Sequence, residues 1–279
     1  MTLNKFYVED VIKSALKEDI NYIDVTTDYL IDEKATTTAR FVAKSDGVLC
    51  GLEVALTVFK MLDDTITFEI LKKDGDKLVK GDIICRMSGN TRALLKGERT
   101  ALNLIQHMSG IATATNRCVE LVEGTNASVV DTRKTLPGLR ALQKYAVVCG
   151  GGKNHRYNLS DAAMLKDNHI DAYGSITNAV NALRKKAGHM LKIEVETRSL
   201  DDLREALAVG ADVIMLDNMD CPTMAEAVKI NAGRAKLEAS GNITLDNIAE
   251  VAKTGVDIIS LGALTHSVHA FDISMRIDL

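Results

Sequence analysis

Towards the C-terminus one pattern is written twice: Gly210-Ala211-Asp212-Val213-Ile214-Met215-Leu216-Asp217 and Gly255-Val256-Asp257-Ile258-Ile259-Ser260-Leu261-Gly262. Each copy follows a helical stretch, over Leu200 to Val209 and Leu245 to Lys253, and each runs into a short apolar strand. A helix-loop-strand unit that recurs lays its strands parallel, because the intervening helix returns the chain to the same end of the sheet. Other runs fit the alternation: Ser128 to Asp131, Ala162 to Lys166, Leu191 to Val195 and Ala235 to Ala239 as strands, with helices over Ile176 to Lys186 and Pro222 to Ile230. Fewer than eight strands are legible, so the expected architecture after Gly124 is a parallel α/β barrel of the triosephosphate isomerase type, which the residues alone leave neither closed nor open.

The first half reads differently. Val8, Ile12, Ala15 and Leu16 predict an amphipathic helix over Tyr7 to Lys17, followed by a turn-like Asn21 to Thr27. Thr36 to Ala43, Val48 to Cys50, Thr65 to Leu71 and Asp82 to Met87 read as strands and Leu52 to Leu62 as a helix, which makes an α+β layer. Asp74-Gly75-Asp76 with Val79 to Ile84 resembles the hairpin of biotinyl and lipoyl carrier domains, but the modifiable lysine turn of those carriers is missing, so the hairpin is structural. Thr91 to Val122 is helical almost throughout, with a break expected at Ser109-Gly110.

Chemistry concentrates in Asp131 to His169. This stretch carries Arg133, Lys134, Arg140, Lys144, Lys153, Arg156 and Lys166 against Asp131, Asp161 and Asp167, in a chain of net charge -4. A local cation excess in an acidic protein points to a small anionic ligand, and Gly150-Gly151-Gly152 can bring backbone close to one. Arg140 and Lys144 stand at helical spacing and read equally well as a solvated face. Arg133-Lys134 and Lys166 instead end predicted strands, where an unpaired charge is costly unless an anion meets it.

In a barrel the reactive groups stand at the C-terminal strand ends. Those ends carry Asp131 with Arg133 and Lys134, Lys166 with Asp167, Glu194 with Glu196, Asp217, Ser240 with Gly241, and Gly262. Ser240-Gly241-Asn242, leading into a helix near Thr244, and Gly262-Ala263 suit a phosphate cradle. Glu196 and Asp217 suit a magnesium ion, which takes one or two carboxylates plus substrate oxygens. Their plainer readings are an inward-facing strand residue and a helix cap.

Composition closes off other classes. No apolar run reaches membrane-helix length, and the acidic, amphipathic N-terminus is unlike a signal peptide, so the expected location is the cytoplasm. Five cysteines without a C-x-x-C argue against a zinc or disulfide framework. A pI near 5.9 disfavours nucleic acid as the partner.

Glu98-Arg99-Thr100, His107 to Thr113, Asp131 to Gly138, Gly150-Gly151-Gly152 with Asn154-His155-Arg156, and Lys166-Asp167-Asn168-His169 together resemble the quinolinate phosphoribosyltransferases. Glu194-Val195-Glu196, Leu216-Asp217-Asn218, Glu238 to Gly241 and Ser260-Leu261-Gly262 continue the match in order. The resemblance implies an N-terminal α/β sandwich over residues 1–110, an open, incomplete TIM-like α/β barrel over 111–265 and a tail, 266–279, that returns to the sandwich. It implies transfer of phosphoribosyl from phosphoribosyl pyrophosphate to quinolinate with loss of carbon dioxide, assisted by magnesium on Glu196 and Asp217. By matched motif, Arg133, His155, Arg156 and Lys166 would hold the quinolinate carboxylates, with Arg99 reaching in from a neighbouring subunit of a homodimer or hexamer. Lys134, Glu196, Asp217, Ser240, Gly241 and Gly262 would face the phosphoribosyl pyrophosphate, and Thr132, Met164, Asn242, Leu261 and Ala263 complete the substrate-binding set. Lys134, Lys166, Glu196 and Asp217 are the expected catalytic groups. The alternatives are a Schiff-base enzyme using Lys166 and a non-catalytic paralogue of the molybdenum-transport accessory type.

Overall fold

The computed structural model describes residues 2–278. Its first elements are α1 (Lys5–Asp19), α2 (Val25–Leu30), β1 (Thr36–Ala43), β2 (Gly47–Val48), α3 (Leu52–Leu62), β3 (Thr67–Ile70), β4 (Lys77–Leu78), β5 (Ile83–Asn90) and α4 (Thr91–Leu121). Then come β6 (Ser128–Val130), α5 (Arg140–Cys149), β7 (Ala163–Leu165), α6 (Asp167–Tyr173), α7 (Ile176–Arg184), β8 (Ile193–Thr197), α8 (Leu200–Ala208) and β9 (Val213–Asp217). The chain closes with α9 (Cys221–Asn231), β10 (Lys236–Ser240), α10 (Ile248–Lys253), β11 (Ile258–Ser260), α11 (Ala263–His266) and β12 (Ile273–Asp278). Two compact units result. Unit 1 takes the described residues of Met1–Asn116, Thr135–Gly151 and Leu264–Leu279; unit 2 takes Arg117–Lys134 and Gly152–Ala263.

Unit 1 is built on an antiparallel sheet in the order β12-β1-β5-β3. Along β1 the buried residues alternate as Ala39, Phe41 and Ala43, the period that puts one face of a strand on a core. Phe41 meets Phe59 of α3 with ring centroids 6.0 Å apart. Gly51, at the N-cap of α3, has no side chain to cap it, and Asp74 does so from elsewhere in the chain, accepting from the N–H groups of Gly51 (2.9 Å) and Leu52 (3.0 Å). The hairpin residues Asp74 to Asp76 thus have a structural use.

Three expectations fail in this unit. The helix α4 does not break at Ser109-Gly110. The Ser109 hydroxyl is turned onto the backbone of Cys50, donating to its carbonyl (3.0 Å) and accepting from its N–H (2.9 Å), while Gly110 lets the chain at His269 come close. Packing therefore uses the two residues that local preference marks as a break. The turn-like Asn21 to Thr27 overlaps α2, whose start is capped by Asp24 accepting from the Thr27 N–H at 3.0 Å. Lys144 is fully buried and not part of a solvated face.

Unit 2 carries a parallel sheet in the order β6-β11-β10-β9-β8-β7. Among the described residues no pairing joins β6 to β7, so the barrel is open. Helices between the strands start on side-chain caps: Ser175 for α7, Ser199 for α8 and Asp220 for α9. The aspartates of the duplicated pattern explain why it recurs. Asp212 accepts from the Ile193 N–H (3.0 Å) and donates its own N–H to the Ile193 carbonyl (2.9 Å); Asp257 does the same to Leu237, at 3.0 and 3.0 Å. Each copy pins the entry of its strand to the neighbouring strand, which fixes the register that brings the opposite ends together.

Candidate active site

Alternate residues of a strand share a face, and on the inner face of unit 2 they line one cleft of about 280 Å³. Met164 and, just past β7, Lys166 come from one strand; Glu196 follows from β8, Met215 and Asp217 from β9, Glu238 and Ser240 from β10, and Ser260 from β11. Thr132, Arg133 and Lys134 enter from the segment after β6, with His155 and Arg156 from the segment before β7. The sequence-derived residues Thr132, Arg133, Lys134, His155, Arg156, Met164, Lys166, Glu196, Asp217 and Ser240 are thus brought together. Arg99 lies in unit 1, exposed on α4, where a groove is shared with Asp19, Asp24 and Lys96.

The cations are held by their surroundings. Asp131, with no exposed surface, accepts from Asn154 Nδ2 (2.8 Å) and from the His155 N–H (2.8 Å), which fixes the segment carrying His155 and Arg156. Arg156 donates to the Ala162 carbonyl (2.8 Å) and its other terminal nitrogen lies 3.6 Å from Met164 Sδ. Burial, then the neighbouring Arg133 charge, push the Arg156 pKa down, and Glu194 pulls the other way. Nε of Arg133 is buried without a hydrogen-bond partner. Such a set of partly compensated guanidiniums favours an arriving carboxylate, which both can grip in bidentate fashion.

Lys166 departs from expectation. Its side chain is 49% exposed, and Nζ sits 3.1 Å from Glu196 Oε2. The strand is short and ends at the mouth of the cleft, so the ammonium remains hydrated and is not the desolvated lysine that the strand-end reading called for.

His155 has both ring nitrogens engaged. The Arg156 backbone N–H donates to Nδ1 (2.8 Å), which leaves the ring proton on Nε2, 3.0 Å from Glu194 Oε2 and 3.5 Å from Glu238 Oε2. Glu194 belongs to the buried second position of β8 and not to a strand end, because the strand begins at Ile193 and extends to Thr197.

The expected phosphate cradle is a loop and not a helix start. After Ser240, the chain turns through Gly241 (φ +95°) and Asn242 (φ 53°), and α10 begins only at Ile248. Side-chain bonds from Asn247 to the Asn242 carbonyl (3.1 Å) and from the Thr244 N–H to Asn247 Oδ1 (2.9 Å) hold the intervening turn. Asn218, also left-handed at φ 54°, donates to Asp217 (3.0 Å) and accepts from Asn242 Nδ2 (3.0 Å). Leu261 is buried, its N–H donating to the Val130 carbonyl (3.0 Å), with Gly262 and Ala263 following into α11.

Residue reasoning passed over Glu238, Met215 and Ser260 of the cleft lining, and over Asn218. The period-two alternation was the available signal: Glu238 precedes Ser240 by two residues, as Met215 precedes Asp217. Among the described residues, donor atoms of two triplets lie within 4.8 Å of one another, Cys50 with Asp74 and Cys149, and His155 with Glu194 and Glu238. Neither includes Glu196 or Asp217. The five cysteines are all free thiols.

Sequence models of two domains match the chain: quinolinate phosphoribosyl transferase, N-terminal domain, over residues 24–109, and the C-terminal domain of the same family over residues 111–276. The chain belongs to the quinolinate phosphoribosyltransferase family. A family member from Bacillus subtilis (strain 168), a probable nicotinate-nucleotide pyrophosphorylase (carboxylating), is 46% identical over 277 residues, covering 99% of this chain and 96% of its own length. The nicotinate-nucleotide pyrophosphorylase (carboxylating) of Mycobacterium leprae (strain TN) is 44% identical over 272 residues, 95% of each. The crystal structure of NadC from Streptococcus pyogenes superposes with a TM-score of 0.97 at 43% identity, covering 100% of this chain and 99% of that one.

Proposed function

We propose that this quinolinate phosphoribosyltransferase family member transfers the phosphoribosyl group of phosphoribosyl pyrophosphate to quinolinate and releases carbon dioxide, giving nicotinate mononucleotide and pyrophosphate for NAD biosynthesis. The carrying observation is the cleft itself, in which Arg133, Lys134, Arg156 and Lys166 converge with Glu196 and Asp217 at the strand ends of one sheet. Cations grouped in this way suit a ring with two carboxylates on one side and a pyrophosphate on the other.

In the proposed reaction, Arg133 and Arg156 with Lys166 grip the quinolinate carboxylates, and His155, locked by Glu194, forms the wall beside them. The turn at Ser240 to Asn242 with Gly262 receives the phosphoribosyl phosphate. Holding the pyridine nitrogen in line with the anomeric carbon is the main task, since no covalent nucleophile is needed. Lys134 offsets the charge that gathers on the departing pyrophosphate. Once alkylated, the ring nitrogen is cationic and draws electrons from the adjacent carbon, so that the carboxylate there leaves as carbon dioxide.

Glu196 and Asp217 fit magnesium as hard oxygen donors on neighbouring strands. One oxygen of each is engaged by Lys166 (3.1 Å) and Asn218 (3.0 Å), and Glu196 and Asp217 would hold the ion through their second oxygens. Bound there, magnesium would supply positive charge to the leaving group. The site is proposed to serve a homodimer or hexamer in which Arg99 of one copy completes the cleft of the next, and the cytoplasm is the proposed location. Among the described residues, no helix is long and apolar enough to cross a membrane.

The test is magnesium-dependent loss of quinolinate matched by nicotinate mononucleotide formed, with nicotinate as the control that lacks the second carboxylate. Arg133→Ala should weaken quinolinate binding by roughly 10- to 100-fold, the range for losing charge-assisted hydrogen bonds; calorimetry returning the parent affinity would remove Arg133 from that role.

A further inference from the structure

The cleft holds a carboxyl group that phosphoribosyl transfer does not use. Glu238 stands mid-strand in β10 at 1% exposure and still forms part of the cleft wall. It faces Glu194 from β8, His155 from the segment before β7 and Ser260 from β11. Oε2 of Glu238 lies 3.5 Å from the one ring nitrogen of His155 that carries a proton, and Glu194 Oε2 accepts from that N–H at shorter range, 3.0 Å. Oε1 of Glu238 is buried with no hydrogen-bond partner. Beside a second carboxyl on the same imidazole N–H, and out of water, the charged form of Glu238 is disfavoured. Burial first, and the Glu194 charge second, raise the Glu238 pKa to about 7, with His155 and the Ser260 hydroxyl pulling the other way.

The chemistry supplies a use for a neutral acid at this place. Loss of the carboxylate leaves a bonding pair on the ring carbon beside the alkylated nitrogen, and that carbon has to gain a proton. Arg133 and Arg156 cannot give one up. Lys166 is paired with Glu196, which like Asp217 is an acceptor when ionised.

We propose that Glu238 is the proton donor of the decarboxylation half-reaction, an inference that rests on the reaction proposed above. As the bond between ring carbon and carboxylate breaks, carbon dioxide departs and the bonding pair stays on the carbon. That pair takes the proton of the Glu238 carboxyl and forms the new C–H bond. Glu238 is left as a carboxylate and regains a proton from water before the next turnover. The Arg156 N–H, donating into the Nδ1 lone pair of His155 at 2.8 Å, keeps the imidazole from claiming the acid proton.

Glu238→Gln keeps the size and neutrality of the acid and removes the transferable proton. In single turnovers with quinolinate and phosphoribosyl pyrophosphate, carbon dioxide release should slow by about 100-fold, the lower range for losing a general acid. The carboxylated mononucleotide should accumulate in quenched samples while quinolinate affinity by calorimetry is unchanged. In the parent enzyme, the release step should be slower in D2O and should fall as pH rises through about 7. A variant that releases carbon dioxide at the parent rate with the parent pH profile overturns the assignment. Should the variant fail to fold, the parent's D2O and pH measurements decide alone, and the absence of both effects overturns it. A parent that makes no nicotinate mononucleotide defeats the reaction itself, and the Glu238 role with it, before any variant is compared.

Discussion

A Cβ placed on Gly241 would lie 2.3 Å from Asn218 Oδ1, and the backbone there sits at φ +95°, a region L side chains rarely adopt. Gly241→Ala is therefore expected to cost about 1 kcal/mol or more of stability through backbone strain. It should also weaken phosphoribosyl pyrophosphate binding by pushing Asn218 off Asp217, read out by thermal melting and calorimetry together; a variant with parent affinity would show that the turn does not hold the phosphate. At this scale the sequence was most legible where a residue type has few uses. Arg133, Lys134 and Lys166, read at the ends of short apolar runs, line the cleft, as does Arg156, which the motif resemblance carried, whereas Arg140, Lys144 and Lys153 of the same basic stretch do not. Glu194 and Glu238 were harder to see. A glutamate inside an apolar strand can sit on a wet edge or under a barrel, and only the assembled sheet shows that these two share one histidine.

The elements were legible to the extent that their cores are local. Leu52 to Leu62 and Thr36 to Ala43 were expected and observed with the same ends, because each buries its apolar face within a single layer. Where a tertiary contact overrides local preference, the reading failed, and α4 is the clearest case. A Cβ on Gly110 would stand 2.1 Å from the carbonyl oxygen of His269, a backbone atom that has no rotamer to escape into. Gly110→Ala should gain helix propensity and still lose stability, by about 1–3 kcal/mol, since overpacking outweighs the fraction of a kilocalorie won locally. Urea unfolding would check the sign, and a net gain would mean that the helix can shift away from His269. The short α6 and α2 escaped notice because neither shows a full amphipathic period; α2 starts on the Asp24 cap and α6 lies directly behind Lys166.

At the level of the whole molecule, the parallel order of the barrel followed from its repeated aspartate unit, whereas the composition of unit 1 did not follow from any repeat. That unit draws on three separate stretches of chain, including Thr135–Gly151, where Gly150 is packed against the Ala112 carbonyl of α4. A chain lacking residues 273–278 should melt lower and scatter light at concentrations where the parent is clear, because β1 would lose its partner from Thr38 to Ala43 and bare a strand edge. Clear solutions with an unchanged melting point would make β12 dispensable. The same pairing bears on how the protein is made. The partner of β1 on that side is translated after every barrel strand, so the ribosome must emit all of unit 2 while the earliest sheet still has an open flank. Chaperone demand during synthesis should accordingly peak late, and end when β12 emerges.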